Sequence, residues 1–167
     1  GYSDPSTAAF SYVQTYTTDL PIRQVQWTDD VLPNANACMI INLYKLSQLT
    51  AKTNYTVRAE QIMQEFQPRM LSNAFSYPTA WIAWLTLARQ PQTIITGERD
   101  HPKFDALHTA ALKQALPHTT IMYASDPAAL PQHHPAYAKD NGNTPTVYRC
   151  ENQTCSLPIT DPAELIA

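Results

Sequence analysis

The residues best equipped for chemistry stand near the end of the chain. Cys150 and Cys155 flank Glu151-Asn152-Gln153-Thr154, which reads as a turn between a strand, Thr146-Val147-Tyr148-Arg149-Cys150, and a returning extended segment, Cys155-Ser156-Leu157-Pro158-Ile159. The spacing admits three states. The pair can be two reduced thiols packed beside the terminal strands, a disulfide across a hairpin, or two thiolate ligands of zinc completed by His133 and His134. A third cysteine, Cys38, lies in a helical pattern and reads as a small buried apolar group. Asp29 and Asp30 are adjacent carboxylates, and two carboxylates can divide acid and base work on a sugar. Consecutive side chains of an extended segment point to opposite sides, however, so at most one of them faces any one cavity. The plainer reading is loop solvation or capping, with Asn34 or Asn36 as the helix N-cap. Gly97, after a strand and before a helix, has the place of a phosphate-binding turn, yet Glu98 and Asp100 beside it would repel an anion. Phe75, Tyr77, Trp81 and Trp84 can form a sugar-stacking wall or simply a helix core, and aromatics spaced by three on a helix read as core.

These groups need elements to hold them. Residues 8–27 carry Phe10, Tyr12, Val13, Tyr16, Ile22, Val25 and Trp27 interleaved with Thr and Gln, and read as two β-prone stretches. Pro33 turns the chain into a helix from Ala35 to about Leu49, apolar over most of its surface. A second helix follows from an N-cap at Asn54 to about Leu71, with Tyr55, Ala59, Ile62, Met63, Phe66 and Met70 at three- and four-residue steps. A third runs from Pro78 until Pro91 stops it. The period then changes: Thr93–Gly97 is a short strand, Phe104 to Ala115 a helix, and Thr119–Tyr123 another strand, which together make a βαβ unit. Prolines and Asn141-Gly142-Asn143 mark residues 126–145 as loop with one short helical turn. Asp161, Pro162 and Glu164 then open a last helix as a capping box.

Composition sets the outer bounds. A chain of 167 residues with 44% hydrophobic content has the size of one domain, and such a chain buries roughly 70% of its unfolded surface. The net charge is −3 and the basic residues are scattered, so nucleic acid is not an expected partner. No apolar run approaches the roughly 20 residues needed to cross a bilayer, and Gly1-Tyr2-Ser3-Asp4-Pro5 has no basic or apolar leader, so a cytoplasmic protein without membrane contact is expected. The polar opening without an initiator Met marks a piece of a longer chain. No cofactor is implied.

Four stretches carry a resemblance. Asp29-Asp30-Val31-Leu32-Pro33-Asn34-Ala35-Asn36 resembles an Asp-x-x-x-Pro-Ser-x-Asn-Ser loop, Tyr55 to Met70 a Tyr-x-x-x-Ala-x-x-x-Leu helix, and Thr93 to Gly97 a Val-Val-Ile-x-Gly strand. The most specific is Cys150-Glu151-Asn152-Gln153-Thr154-Cys155-Ser156-Leu157-Pro158-Ile159-Thr160-Asp161-Pro162, similar to a terminal Cys-x-Asn-x-x-Cys-x-x-Pro-x-Thr-Asp-Pro signature. All four belong to the thioredoxin-domain-containing proteins related to spermatogenesis-associated protein 20, and the likeness runs from about Tyr12 to Ala167. The resemblance implies a thioredoxin-like domain upstream as partner, followed by an (α/α) toroid similar to those of N-acylglucosamine 2-epimerases and six-hairpin glycosidases. The fold class expected is therefore mixed α and β: residues 1–91 close the toroid, and residues 92–167 form a small α/β appendage of a βαβ unit, a terminal hairpin and a helix. A toroid loop at Asp29, Asp30, Asn34 and Asn36 would face a central cavity accepting a saccharide or similar polar molecule. The family's Ser-x-Asn-Ser is Asn34-Ala35-Asn36-Ala37 here, so both hydroxyls are absent. A thioredoxin domain upstream also gives Cys150 and Cys155 a candidate redox role, and a non-catalytic redox or interaction module is the alternative to a cavity-closing piece. A piece of a ring leaves the stripe Ile62, Phe66 and Met70, or the Trp81/Trp84 face, without its neighbours, so self-association is expected.

Overall fold

The computed structural model describes residues 1–3, 6–14, 16–17, 19–20, 22–116, 118–139 and 142–166; of the residues read above, Asp4, Pro5, Asn141 and Ala167 lie outside that set. Two compact units result, Gly1–Leu87 and Ala88–Ala167. Among the described residues the fold is mixed, with five α-helices and a four-stranded sheet containing both parallel and antiparallel pairs.

In the first unit, α1 (Ala35–Thr50) and α2 (Thr53–Ser72) form a helical hairpin, linked through Ala51 in the left-handed region at φ 54°. The buried face of α1, Asn36, Ala37, Ile40, Leu43, Tyr44 and Ser47, follows the helical three- and four-residue steps. That stripe is narrower than the composition predicts, because Leu46 and Leu49 remain outside it and exposed. Helix α2 starts one residue before Asn54, from Lys52. Its predicted stripe of Ala59, Ile62, Met63, Phe66 and Met70 is buried, with α3 (Pro78–Arg89) supplying Ala80 and Ala83 to the same core. Trp27 meets Phe66 edge-on at 4.9 Å between centroids, and the Arg69 guanidinium lies 4.2 Å over the Trp27 ring.

Among the described residues of 8–27, none forms the strands that the β-branched and aromatic content predicts. A bridge between Ser3 and Phe10 and one bond from Tyr12 N–H to the Gln24 carbonyl are the pairing seen among the described residues. The described residues of this unit include no strand for the segment to pair with. Phe10, Val25 and Trp27 instead pack against the helical core while Tyr12, Tyr16 and Ile22 stay exposed, and the Phe10 backbone turns to the Asn36 side chain.

In the second unit, β1 (Gln92–Thr96), α4 (Phe104–Gln114) and β2 (Thr120–Ala124) make the expected βαβ unit with parallel strands. Strand β3 (Thr146–Glu151) pairs antiparallel with β1 and turns into β4 (Thr154–Cys155), giving the order β2-β1-β3-β4. Strand β1 lies inside the sheet, and every residue of it is buried. Ile95 and Val147 on one face meet Phe104, Leu107, Ala110 and Ala111 of α4 and Leu165 of α5 (Pro162–Ile166). On the other face, Ile94, Ala124, Tyr148 and Cys150 are covered by Leu130 and Ala136 from the connection after β2. Asp161 caps α5 by accepting from Ala163 N–H at 2.9 Å. No helix among the described residues is long and apolar enough to cross a membrane.

Candidate functional site

The polar residues of the loop before α1 are joined to backbone. Asp29 Oδ1 accepts from Asn34 N–H at 2.6 Å, and its Oδ2 accepts from Thr79 N–H at 2.9 Å in the first turn of α3, where a carboxylate also meets the positive end of the helix dipole. Asn34 caps α1, its Oδ1 accepting from Ala37 N–H at 3.0 Å while its amide donates to the Gln26 and Thr28 carbonyls. Asn36 grips Phe10 from both sides, accepting from its N–H at 2.7 Å and donating to its carbonyl at 3.0 Å. Asp30 is exposed and its backbone N–H donates to Leu32. Asp29, Asn34 and Asn36 are thus brought together, and what they do there is tie residues 10–34 to α1 and α3. Next to them, burial and then the Asp29 carboxylate push the Cys38 thiol above its ordinary pKa.

The aromatic set divides. Tyr77 is buried and meets Phe66 at 6.3 Å, Phe75 is 97% exposed, and Trp81 and Trp84 touch edge to face at 5.9 Å. With Gln67, Met70 and Leu71 the two tryptophans line a shallow apolar groove of about 220 Å³.

At the carboxyl end of β1, Gly97 holds φ +94°, and a Cβ there would meet the Thr144 carbonyl oxygen at 2.7 Å and the Pro145 backbone at 2.8 Å. The glycine therefore serves the close approach of residues 143–145, reinforced by Glu98 N–H donating to the Asn143 carbonyl. An open crevice of about 520 Å³ beside it is lined by Glu98, Asp100, Asp126 and a single arginine, Arg99, a balance that disfavours phosphate.

The terminal hairpin holds the cysteine pair. Glu151 pairs with Thr154 across a two-residue turn whose residues, Asn152 and Gln153, both take positive φ, 48° and 64°. That is the geometry a tight hairpin with right-handed strand twist demands. The turn fixes the register, Cys150 stands opposite Cys155, and a disulfide joins them with Cα atoms 3.9 Å apart. Two observations describe its surroundings. Cys150 is 2% exposed within the Ile94, Ala136 and Tyr148 cluster, whereas Cys155 is only partly buried, its Sγ 3.7 Å from the Pro135 carbonyl oxygen. His134 is buried, and its Nδ1 accepts from Ala136 N–H; His133 is exposed. Among the described residues no group of three or more His, Cys, Asp and Glu is arranged to hold a metal ion. What the sequence left open was the pairing, and the two-residue spacing between Glu151 and Thr154 is the signal that places the cysteines face to face.

No family model matches the chain, and no solved structure does. Curated relatives do. Spermatogenesis-associated protein 20 of Rattus norvegicus is 30% identical over 156 residues, 89% of this chain and 19% of the relative. The Homo sapiens protein of the same name is 30% identical over 154 residues, 87% of this chain and 19% of its own length, and that of Mus musculus 28% over 155 residues. The chain thus spans about a fifth of the length of the relatives it matches. Over nearly nine-tenths of its residues it is homologous to spermatogenesis-associated protein 20.

Proposed function

We propose that this chain is a thiol–disulfide exchange and interaction module of a longer cytoplasmic protein of the spermatogenesis-associated protein 20 family, acting with a thioredoxin-like domain of that protein while its helices close an (α/α) toroid. One observation carries the redox part: the Cys150–Cys155 bond at the edge of the sheet, with Cys155 only half-buried. In a cytoplasm kept reducing by glutathione and thioredoxin, disulfides are rare, and those that form are mostly transient and catalytic or redox-sensing. Exchange is balanced by a dithiol partner. A partner thiolate displaces one sulfur of the pair and forms a mixed disulfide; the partner's second thiolate then releases the chain, which leaves with two thiols, two protons and two electrons more, while the partner is left as a disulfide.

The test is reduction of the folded chain by thioredoxin, thioredoxin reductase and NADPH. One equivalent of NADPH per chain is expected to be oxidised, with new alkylation sites at Cys150 and Cys155 by mass mapping. If the bond yields only after unfolding in denaturant, the pair is a structural staple and the proposal fails.

A saccharide cavity in the intact protein is the second reading, favoured by the Trp81/Trp84 groove with Gln67 beside it. Of the loop residues first considered for such a cavity, Asp30 is exposed, while Asp29, Asn34 and Asn36 hold backbone. A saccharide-dependent thermal shift that Trp84→Ala removes would support it, and no shift across common mono- and disaccharides would end it. The same groove is the surface through which self-association of the isolated chain is expected.

A further inference from the structure

The two sulfurs of the hairpin are not equivalent, and their difference assigns them separate roles. In an antiparallel hairpin, directly opposed residues alternate between pairs that exchange backbone hydrogen bonds and pairs that do not. Arg149 and Ser156 are bonded, Ser156 N–H donating to the Arg149 carbonyl at 2.8 Å, so the adjacent Cys150–Cys155 pair is of the unbonded kind. The backbone N–H and C=O of Cys155 therefore point away from β3, toward the outside of the sheet, where β4 is the last strand in the order. Cys155 is half-buried at that edge, packed against the margin of the Ile94 and Tyr148 cluster. Cys150 lies under the connection after β2, closed in by Ala136 and the Tyr148 side of the sheet, and 2% exposed.

Resting on the exchange reading above, we infer that a partner thiol attacks Cys155 and only Cys155, approaching from the outer edge of β4, and that Cys150 is the sulfur displaced. The new bond joins the partner sulfur to Cys155 Sγ; the bond that breaks is Sγ–Sγ of the pair; its electron pair goes to Cys150 Sγ, which takes up a proton inside the cluster. The partner's second thiolate then attacks the partner sulfur of the mixed disulfide and frees Cys155. As a thiol, Cys155 has an acceptor already in place, the Pro135 carbonyl oxygen at 3.7 Å, so its S–H is satisfied without rearrangement. Running backwards, oxidation begins at Cys155 and ends when Cys150 attacks the mixed disulfide, which makes Cys150 the resolving residue.

The wild-type chain with its disulfide intact, incubated with a thioredoxin that lacks its resolving cysteine, is expected to accumulate a mixed disulfide that tryptic mass mapping places at Cys155. In the reverse direction, Cys155 left alone in the Cys150→Ala chain is expected to react with oxidised glutathione at least tenfold faster than Cys150 left alone in the Cys155→Ala chain, both checked for native helix and sheet content by circular dichroism. An adduct at Cys150, or equal rates, overturns this assignment while leaving the pair exchangeable. No adduct at either cysteine and no reduction of the native chain overturn the assignment and the exchange reading together.

Discussion

The helical unit and the α/β unit satisfy their backbones by different means. In the helical unit the described residues before α1 have almost no strand partner, and their backbone groups need hydrogen bonds that no ladder supplies. Asp29, Asn34 and Asn36 supply five of them, to the backbone of Phe10, Gln26, Thr28 and Asn34, and two more hydrogen bonds, accepted by Asp29 and Asn34, come from the first turns of α3 and α1. In the α/β unit the strands supply most of one another's backbone partners, side chains such as Ser156, His134 and Asp161 brace single N–H groups, and the two hairpin cysteines are joined to each other. The lesson is that a short polar side chain beside irregular backbone is recruited as a brace before it is available as a catalyst.

The strongest way to break that contrast is Asn36→Ala. It strips half-buried Phe10 of both side-chain partners, and leaving such groups unsatisfied costs roughly 1–3 kcal/mol each when fully buried, so a loss of about 2 kcal/mol is expected in urea denaturation of the chain. A loss under about 0.5 kcal/mol, the size of an ordinary surface change, would show that Asn36 braces nothing. Reduction of the hairpin sharpens the other side. Opening so short a loop should cost about 2 kcal/mol, with faster amide exchange in peptides covering residues 146–156 and none in those covering α1 and α2. Protection lost equally in both units would erase the distinction. The smallest effect expected is at Cys38. Because burial first and Asp29 second raise its pKa, less thiolate is present at a given pH, and Asp29→Asn should speed iodoacetamide alkylation at pH 8 by a small factor. Unchanged or slower alkylation would mean that the carboxylate does not act on the thiol.

How much of this was legible varied with the kind of signal. The three- and four-residue steps of Ile62, Phe66 and Met70, and the change of period at Thr93, gave helices and strands close to where they stand, because burial of an apolar face enforces those periods. Residues 8–27 misled, since Val, Thr and Tyr favour a pleated, half-buried surface but cannot create the neighbouring strand that makes a sheet. At the loop, residue type announced polar function at Asp29 and Asn36, while their actual partners, Thr79 and Phe10, are 50 and 26 positions away and carry no mark in the sequence. The disulfide lay between these extremes: the cysteines were visible, and the register that joins them depended on two turn residues adopting positive φ without a glycine.

That turn has a consequence for any chemistry at the pair. With Asn152 and Gln153 closing the hairpin, one thiol is held at a high effective concentration next to the other even when the bond is open, and it is this concentration that a reductant must overcome. A tenfold change in it corresponds to about 30 mV for a two-electron couple. The poise of the pair is therefore adjustable at positions that carry no sulfur: a glycine at 153, relaxed where glutamine is not, would hold the ends together longer and make the oxidised state harder to undo.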